Sequence, residues 1–336
     1  MKKKPYYVSR KKTPWSDKTN ITPLEAFINN VYFSHYNLKH PKIVDSLDSI
    51  MFSNFYPISC PYCGSIEFIK KGLSRDKKQR YYCKECQKRF TFSTGTLMDH
   101  HKIPLSEWIE FLLNIFSFSS LNHTSKNNKN SPTTTKYWLK KVFIALEDYQ
   151  QDILLKGNVY IDETYYKVVQ SKLEKKANGK EYAGLSRNQI CIGVGYDGIH
   201  TYAFIEGKGK TNTNKTNICF LKHIQEGSHL IHDKERGHYE LVEQLNLTSE
   251  SYDAIQLRNV EDMNNPLEPI NHQIDLLQKF LKSHAGFNRE ELQDYLNLFC
   301  FIMNEGNDPL EKVKKMLLLL IKKQERIKYR EYFKKS

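Results

Sequence analysis

Cys60 and Cys63 enclose Pro61-Tyr62, Cys83 and Cys86 enclose Lys84-Glu85, and nineteen residues separate the two pairs. Two Cys-x-x-Cys hooks at that distance supply four thiolates, the ligand set of a closed, tetrahedral structural zinc site. No other feature constrains the fold as much. The segment around the hooks, residues 56–95, is too small to bury a core, so a metal has to hold it together. Short strands are expected around Glu67–Lys71, Gln79–Cys83 and Arg89–Thr91, giving a zinc ribbon with Cys60, Cys63, Cys83 and Cys86 as ligands.

The loop between the hooks is basic. Residues 60–90 carry nine Lys or Arg against three acids, residues 1–12 carry six cations and no acid, and residues 309–336 carry ten against three. These patches sum to +19 while the whole chain is +13, so the rest is about −6. Basic patches around a near-neutral body suit the phosphate backbone of a nucleic acid, although Lys-rich faces are commonly just solvated. In the ribbon the candidate contacts are Lys70, Lys71, Arg75, Lys77, Lys78 and Arg80.

Cys191, Cys219 and Cys300 are far apart in apolar surroundings and read as buried free thiols, which suits a reducing compartment. The start, Met1-Lys2-Lys3-Lys4-Pro5, lacks the apolar stretch of a signal peptide. The apolar run Met316–Ile321 is six residues, against roughly 20 needed to span a bilayer. A cytoplasmic protein with no membrane partner is expected.

The 336 residues divide by pattern. Residues 1–55 read as a helical region, with helices over 22–53, and residues 96–150 as a helical, helix-turn-helix-like module with three helices over Leu97–Tyr149. In that module one helix opens at Pro104-Leu105-Ser106 and runs to Phe116. A polar stretch, Asn122–Asn130, follows, and another helix starts at Ser131-Pro132-Thr133. Thr133, Thr134, Thr135, Lys136 and Lys140 are the residues it would present to a DNA groove. From residue 156 to 304 the character changes. Strands are expected over Asn158–Val169, Gln189–Gly195 and His200–Glu206, the last two joined by the turn signal Asp197-Gly198. Then come a helix over Thr213–Gln225, a strand over Ser228–His232, a helix over Gly237–Leu245, a fifth strand over Tyr252–Leu257, and a helix over Ile270–His284. Three strands in hairpin succession, then helix, strand, helix, strand, helix, is the order of an α/β ribonuclease H-like fold with a mixed five-stranded sheet. Residues 305–336 read as a basic amphipathic helix over Leu310–Phe333.

Phosphoryl transfer on DNA needs hard oxygen ligands for two Mg²⁺ ions. Asp162 lies inside the first strand of this fold, beside Val159 and Ile161, where a carboxylate is costly unless paired or metal-bound. Asp233 follows the fourth strand, and the two strands are neighbours in the expected topology. A third ligand belongs on the last helix, where Asn271, Asp275, Gln278 and Lys282 form a polar stripe. Each residue also has a plain structural reading: Asp162 as a surface position of an edge strand, Asp233 as a cap, and Asn271 as an N-cap. Jointly, on these elements, they favour a metal site. Glu163, on the opposite strand face, reads as structural, Asp197 as a turn residue, and His232 as orienting Asp233 or packing.

Cys60-Pro61-Tyr62-Cys63-Gly64-Ser65, Tyr81-Tyr82-Cys83 through Phe90, Ile161-Asp162-Glu163-Thr164-Tyr165, His232-Asp233 and Pro269-Ile270-Asn271-His272 occur here in that order. In this the chain resembles bacterial insertion-sequence transposases that join an N-terminal zinc ribbon to an Asp-Asp-Asn or Asp-Asp-Glu catalytic core. The resemblance covers about residues 56–304. It implies that Asp162, Asp233 and Asn271 bind Mg²⁺. It also implies hydrolysis of a phosphodiester at an element end, followed by joining of the freed 3′-OH to target DNA. Its partners would be double-stranded DNA, as terminal inverted repeats and target, and further copies of the chain. The family usually carries Lys seven residues after the third ligand. That position after Asn271 is Gln278, whereas seven after Asp275 is Lys282, so Asp275 is the rival ligand. Asn271 is preferred for its flanking residues. Two other functions use the same modules: a non-catalytic zinc-ribbon regulator, which would not need carboxylates at these strand positions, and a Mg²⁺-dependent nuclease without joining activity.

Overall fold

The computed structural model describes residues 19–28, 30, 54–74, 78–99, 105–128, 130–168, 173–257 and 259–332. Arg75, Lys77 and most of the helices expected over 22–53 lie outside them; a helical turn at 23–28 opens with a reciprocal capping box. There Thr22 N donates to Glu25 Oε2 at 2.8 Å and Glu25 N donates to Thr22 Oγ1 at 3.2 Å. The chain forms two compact units, residues 1–141 with 313–336, and residues 142–312.

In the first unit, β1 (Phe68–Leu73), β2 (Gln79–Cys83) and β3 (Arg89–Thr91) form an antiparallel sheet in that order. Its apolar interior is little more than Tyr81 and Phe90, with Phe68 packed against them at centroid distances of 5.4–5.6 Å. Three helices follow: α1 (Leu105–Phe116), α2 (Leu121–Asn127) and α3 (Pro132–Ala145). Trp108 of α1 and Trp138 of α3 stack at 4.6 Å, both buried. The expectation that Thr134 and Thr135 face a groove is corrected: both are buried, and Thr134 N and Thr135 Oγ1 donate to Ser131. The C-terminal helix is shorter than expected. It spans Pro309–Lys322 and buries Val313, Met316, Leu320 and Ile321; a further turn covers Tyr329–Tyr332. Between them, Ile327 O accepts a hydrogen bond from Tyr137 Oη and Arg326 pairs with Asp99.

The second unit is built on a five-stranded sheet. Its strands are β4 (Asn158–Lys167), β5 (Gln189–Tyr196), β6 (Thr201–Lys208), β7 (His229–Asp233) and β8 (Thr248–Tyr252), in the order β6-β5-β4-β7-β8. β4 to β6 pair antiparallel, while β7 lies parallel to β4 and β8 parallel to β7. This is the ribonuclease H-like arrangement. The fifth strand sits earlier than expected: β8 is the polar Thr-Ser-Glu-Ser-Tyr, and Ala254–Leu257, read as part of the strand, is helical.

Alternation divides the residues of β4 between two faces. Val159 and Ile161 join Leu230, Tyr202, Cys219, Phe220 and Leu241 in one core, against α4 (Thr213–Phe220) and α5 (Tyr239–Gln244). Gly193 and Gly195 on β5 let α4 come close. A Cβ on Gly193 would lie 2.8 Å from both Cys219 Sγ and Glu206 Oε1. The other face, carrying Asp162 and Thr164, receives α7 (Glu268–Ser283), where Leu277, Phe280 and Leu281 are buried. Chain order leaves the short helix Ala254–Leu257 as α6 and makes Leu292–Asn304 α8. Outer strand β6 is closed by side-chain amides. Asn304 bonds both backbone groups of Thr201, Gln150 both of Ala203, and Gln293 accepts from Ile205 N.

Candidate functional site

In the ribbon, the Sγ atoms of Cys60 and Cys86 are 3.6 Å apart, as are those of Cys63 and Cys83, and all four lie within 4.8 Å of one another. A tetrahedron with Zn–S bonds of about 2.3 Å has edges of about 3.8 Å, so the donor set fits zinc. Each hook closes with a residue in the left-handed region, Gly64 at φ 75° and Gln87 at φ 56°. The Cys83 thiol is lowered to about 7. Burial opposes this, but the backbone N–H groups of Cys86 and Glu85 and the neighbouring thiols Cys63 and Cys86 outweigh it. Such a thiol is readily a ligand. Lys70 and Lys71 are exposed on β1, and Lys71 lies 5.8 Å from the ring centre of Tyr82; Lys78 and Arg80 are half-buried. On α3, Lys136 is exposed and Lys140 half-buried.

In the second unit, β4 and β7 are paired up to Ile161 opposite His232, so the next residues of the two parallel strands are Asp162 and Asp233. Each carboxylate has one oxygen fixed by a backbone N–H. Glu163 N donates to Asp162 Oδ1 at 2.7 Å, and Glu235 N to Asp233 Oδ1 at 3.0 Å. Burial, and then the charges of Glu163 and Asp233, push the Asp162 carboxyl up to about 7. Like charges crowded with little solvation are what a divalent cation relieves. The oxygen donors fit Mg²⁺ or Mn²⁺.

The third expected ligand is placed by α7. Thr201 Oγ1 donates to Gln273 Oε1 at 3.0 Å, and Gln278 Nε2 donates to Thr164 Oγ1 at 2.8 Å. Thr201 faces Tyr196 and Tyr196 faces Tyr160 across the sheet, so α7 and β4 run in the same direction. Asp162 precedes Thr164 by two residues, about 6.6 Å, which matches about four helical residues at roughly 1.5 Å each. That level on α7 is Ile274–Asp275, with Asn271 one turn nearer the helix start. Both Asn271 and Asp275 are exposed, and Lys279 Nζ holds Asp275 at 2.6 Å. The structure thus brings Asp162 and Asp233 together. It sets Asn271 on the adjoining helix stripe, with no hydrogen bond to either aspartate. Gln278, seven residues after Asn271, bonds the sheet through Thr164.

Two residues here carry more than their sequence reading gave them. Glu163 does point to the opposite face from Asp162, but there its Oε1 lies 2.8 Å from Nε2 of the buried His238. His238 Nδ1 lies 3.1 Å from His232 Nδ1 and 3.5 Å from Asp233 Oδ1. Burial works against charge on His238, but the Glu163 carboxylate outweighs it and raises the imidazole. Burial and the neighbouring His238 push His232 down to about 4, so it is neutral. The signal in the sequence was the Asp-Glu dipeptide: alternation sends its two acids to opposite faces of one buried strand. Asp197 is the turn residue expected, accepting from Ile199 N and His200 N. Cys191, Cys219 and Cys300 are buried free thiols.

A ribonuclease H-like sheet with two aspartates on adjacent strands, in a chain that also holds a four-cysteine ribbon, defines an α/β protein with two candidate metal centres. The resemblance to insertion-sequence transposases has a counterpart among curated proteins. An uncharacterized protein in transposable element ISH50 of Halobacterium salinarum is 30% identical over 115 residues, covering 33% of this chain and 37% of that protein. The chain thus matches little more than a third of that relative's length. No protein-family model matches. Among solved structures, the catalytic domain of Mos1 mariner transposase is 15% identical, covering 54% of this chain and 85% of that one at a TM-score of 0.32. The Mos1 strand transfer complex is 13% identical, covering 63% and 73% at 0.29. At these scores they add no weight; the fold rests on the strand order. No helix among the described residues is long and apolar enough to cross a membrane.

Proposed function

We propose that this chain is a DNA transposase of an insertion sequence, which hydrolyses a phosphodiester at the element end and joins the freed 3′-OH to target DNA. The observation that carries this reading is that Asp162 and Asp233 come next after the Ile161–His232 pair on adjacent parallel strands of a ribonuclease H-like sheet. Asp162, Asp233 and Asn271 are the residues that would hold Mg²⁺, which when bound supplies a charge clamp on the attacking and leaving oxygens. The chain's own part is positioning. Backbone N–H groups fix one oxygen of each aspartate. A neutral Asn in place of a third acid leaves the site less negative, so it leans more on substrate phosphates. Cys60, Cys63, Cys83 and Cys86 hold a structural zinc. The exposed Lys70, Lys71 and Lys136, together with Arg75, Lys77, Lys78, Arg80 and Lys140, bind the phosphate backbone of the terminal repeats. Copies of the chain pair two ends on DNA.

The test is a cleavage and joining assay with Mg²⁺, using the inverted repeats that flank the gene and D162N as control. Cleavage with 3′-end joining, absent in D162N, is expected. Cleavage without joining would reduce the protein to a nuclease. Tight binding without cleavage would make it a regulator, and cleavage undiminished in D162N would refute the assigned site.

A further inference from the structure

We propose that Glu163 and His238 are positioning residues that hold the Asp233 carboxylate in register with Asp162, an inference that rests on the metal-site reading above. The two acids of the Asp162-Glu163 dipeptide divide between the faces of β4. Glu163 lies on the side away from the candidate site, 5% exposed, with its Oε1 2.8 Å from Nε2 of His238. His238 is fully buried, and its other nitrogen lies 3.5 Å from Asp233 Oδ1. One imidazole therefore lies between the strand that carries Asp162 and the carboxylate at the end of β7.

The turn that returns His238 under the sheet is fixed by packing. Arg236–His238 is a single 3₁₀ turn, and a Cβ on Gly237 would lie 2.8 Å from Thr216 Oγ1 of α4. Asp233 Oδ1 thus accepts from Glu235 N–H at 3.0 Å and has the imidazole beside it at 3.5 Å, where Nδ1 also faces His232 Nδ1 at 3.1 Å. Sequestering a carboxylate and an imidazole this deeply is expensive for stability alone, since an apolar pair of the same volume would pack as well or better. The pair does what a partner behind a metal ligand does: it orients that ligand, and its loss weakens metal binding by about 10–100-fold.

The test uses the full, zinc-loaded chain and follows Mn²⁺ binding by the paramagnetic resonance signal of free Mn²⁺. D162N serves as reference for the site. H238A and E163A are expected to weaken Mn²⁺ by about 10–100-fold. E163Q, whose amide oxygen still accepts from His238 Nε2–H, should stay within about 3-fold of wild type. In cleavage, H238A should need correspondingly more Mn²⁺ and recover rate when it is supplied. If D162N loses Mn²⁺ while both H238A and E163A keep wild-type affinity, this inference is overturned and the metal site stands. If D162N also keeps wild-type affinity, the metal-site reading fails and takes this inference with it. Should H238A not fold, the contrast between E163A and E163Q decides alone: equal affinities overturn the proposal.

Discussion

Replacing Asp162 by Asn should make the second unit more stable while abolishing cleavage. The carboxyl, pushed up to about 7 by burial and by Glu163 and Asp233, is costly to ionise in the folded state. In the unfolded chain it ionises near its ordinary value of about 3.9. The sign follows from linkage. A raised carboxyl pKa gives no penalty below the unfolded value, and the penalty then grows with pH until the folded group ionises near 7. At about 1.4 kcal/mol per pH unit, this is roughly 1.5 kcal/mol at pH 5 and about 4 kcal/mol at pH 8. D162N keeps an oxygen to accept from Glu163 N–H and removes the charge, so its gain should follow the same curve. The second unit, residues 142–312, contains no tryptophan. The assay is therefore hydrogen exchange of the β5 core amides Cys191–Val194, without added Mg²⁺ or Mn²⁺, across pH 5 to 8. Adding Mn²⁺ should raise protection in the wild type and leave D162N unchanged. A variant no more stable at pH 8, or one whose gain does not grow between pH 5 and 8, would refute the reasoning.

Cys83→Ser should lose the ribbon's zinc and unfold the ribbon while the second unit stays folded; one zinc retained per chain by elemental analysis would contradict this. Gln87→Gly should strengthen the ribbon by about 0.5–1 kcal/mol, because Gln87 sits at φ 56°, where only glycine is free of strain; slower zinc loss to a chelator would be the readout. Burial lowers the Lys141 amine to about 8, so the folded first unit disfavours its charge. Below pH 8 that penalty is complete, and it fades as pH rises toward about 10.4, where the unfolded amine loses its proton. Denaturant melts read by the Trp108–Trp138 stack should therefore show about 2–3 kcal/mol of stabilisation from pH 8 to 10.5.

The ribbon was legible from its thiols because metal geometry fixes their spacing, and the inner strands were legible because burial on both faces demands continuous apolar runs such as Ile190–Val194. Where burial is slight, the pattern misled. Thr248–Tyr252 is an exposed edge strand of polar residues, and its pairing with β7 leaves no hydrophobic trace. Likewise α2 falls in the polar stretch read between helices. It is set by the cap at Ser120, whose Oγ accepts from His123 N, and it buries only Thr124 and Ser125. Asp162 and Asp233 could be found as carboxylates on adjacent strands. His238 could not, because its role depends on a turn that folds back under the sheet and on a partner 75 residues earlier.

The amide side chains along β6 bear on how copies of this chain can meet. An open sheet edge invites main-chain pairing with a second molecule. Here Gln150, Gln293 and Asn304 already occupy five backbone groups of Thr201, Ala203 and Ile205, at 2.7–3.0 Å. An incoming strand would have to displace all five bonds and leave buried polar atoms such as Gln150 Oε1 without partners, at about 1–3 kcal/mol for each group stranded. Strand addition at this edge is therefore closed to the chain, and main-chain pairing of this sheet with a second molecule is left to its other edge, β8.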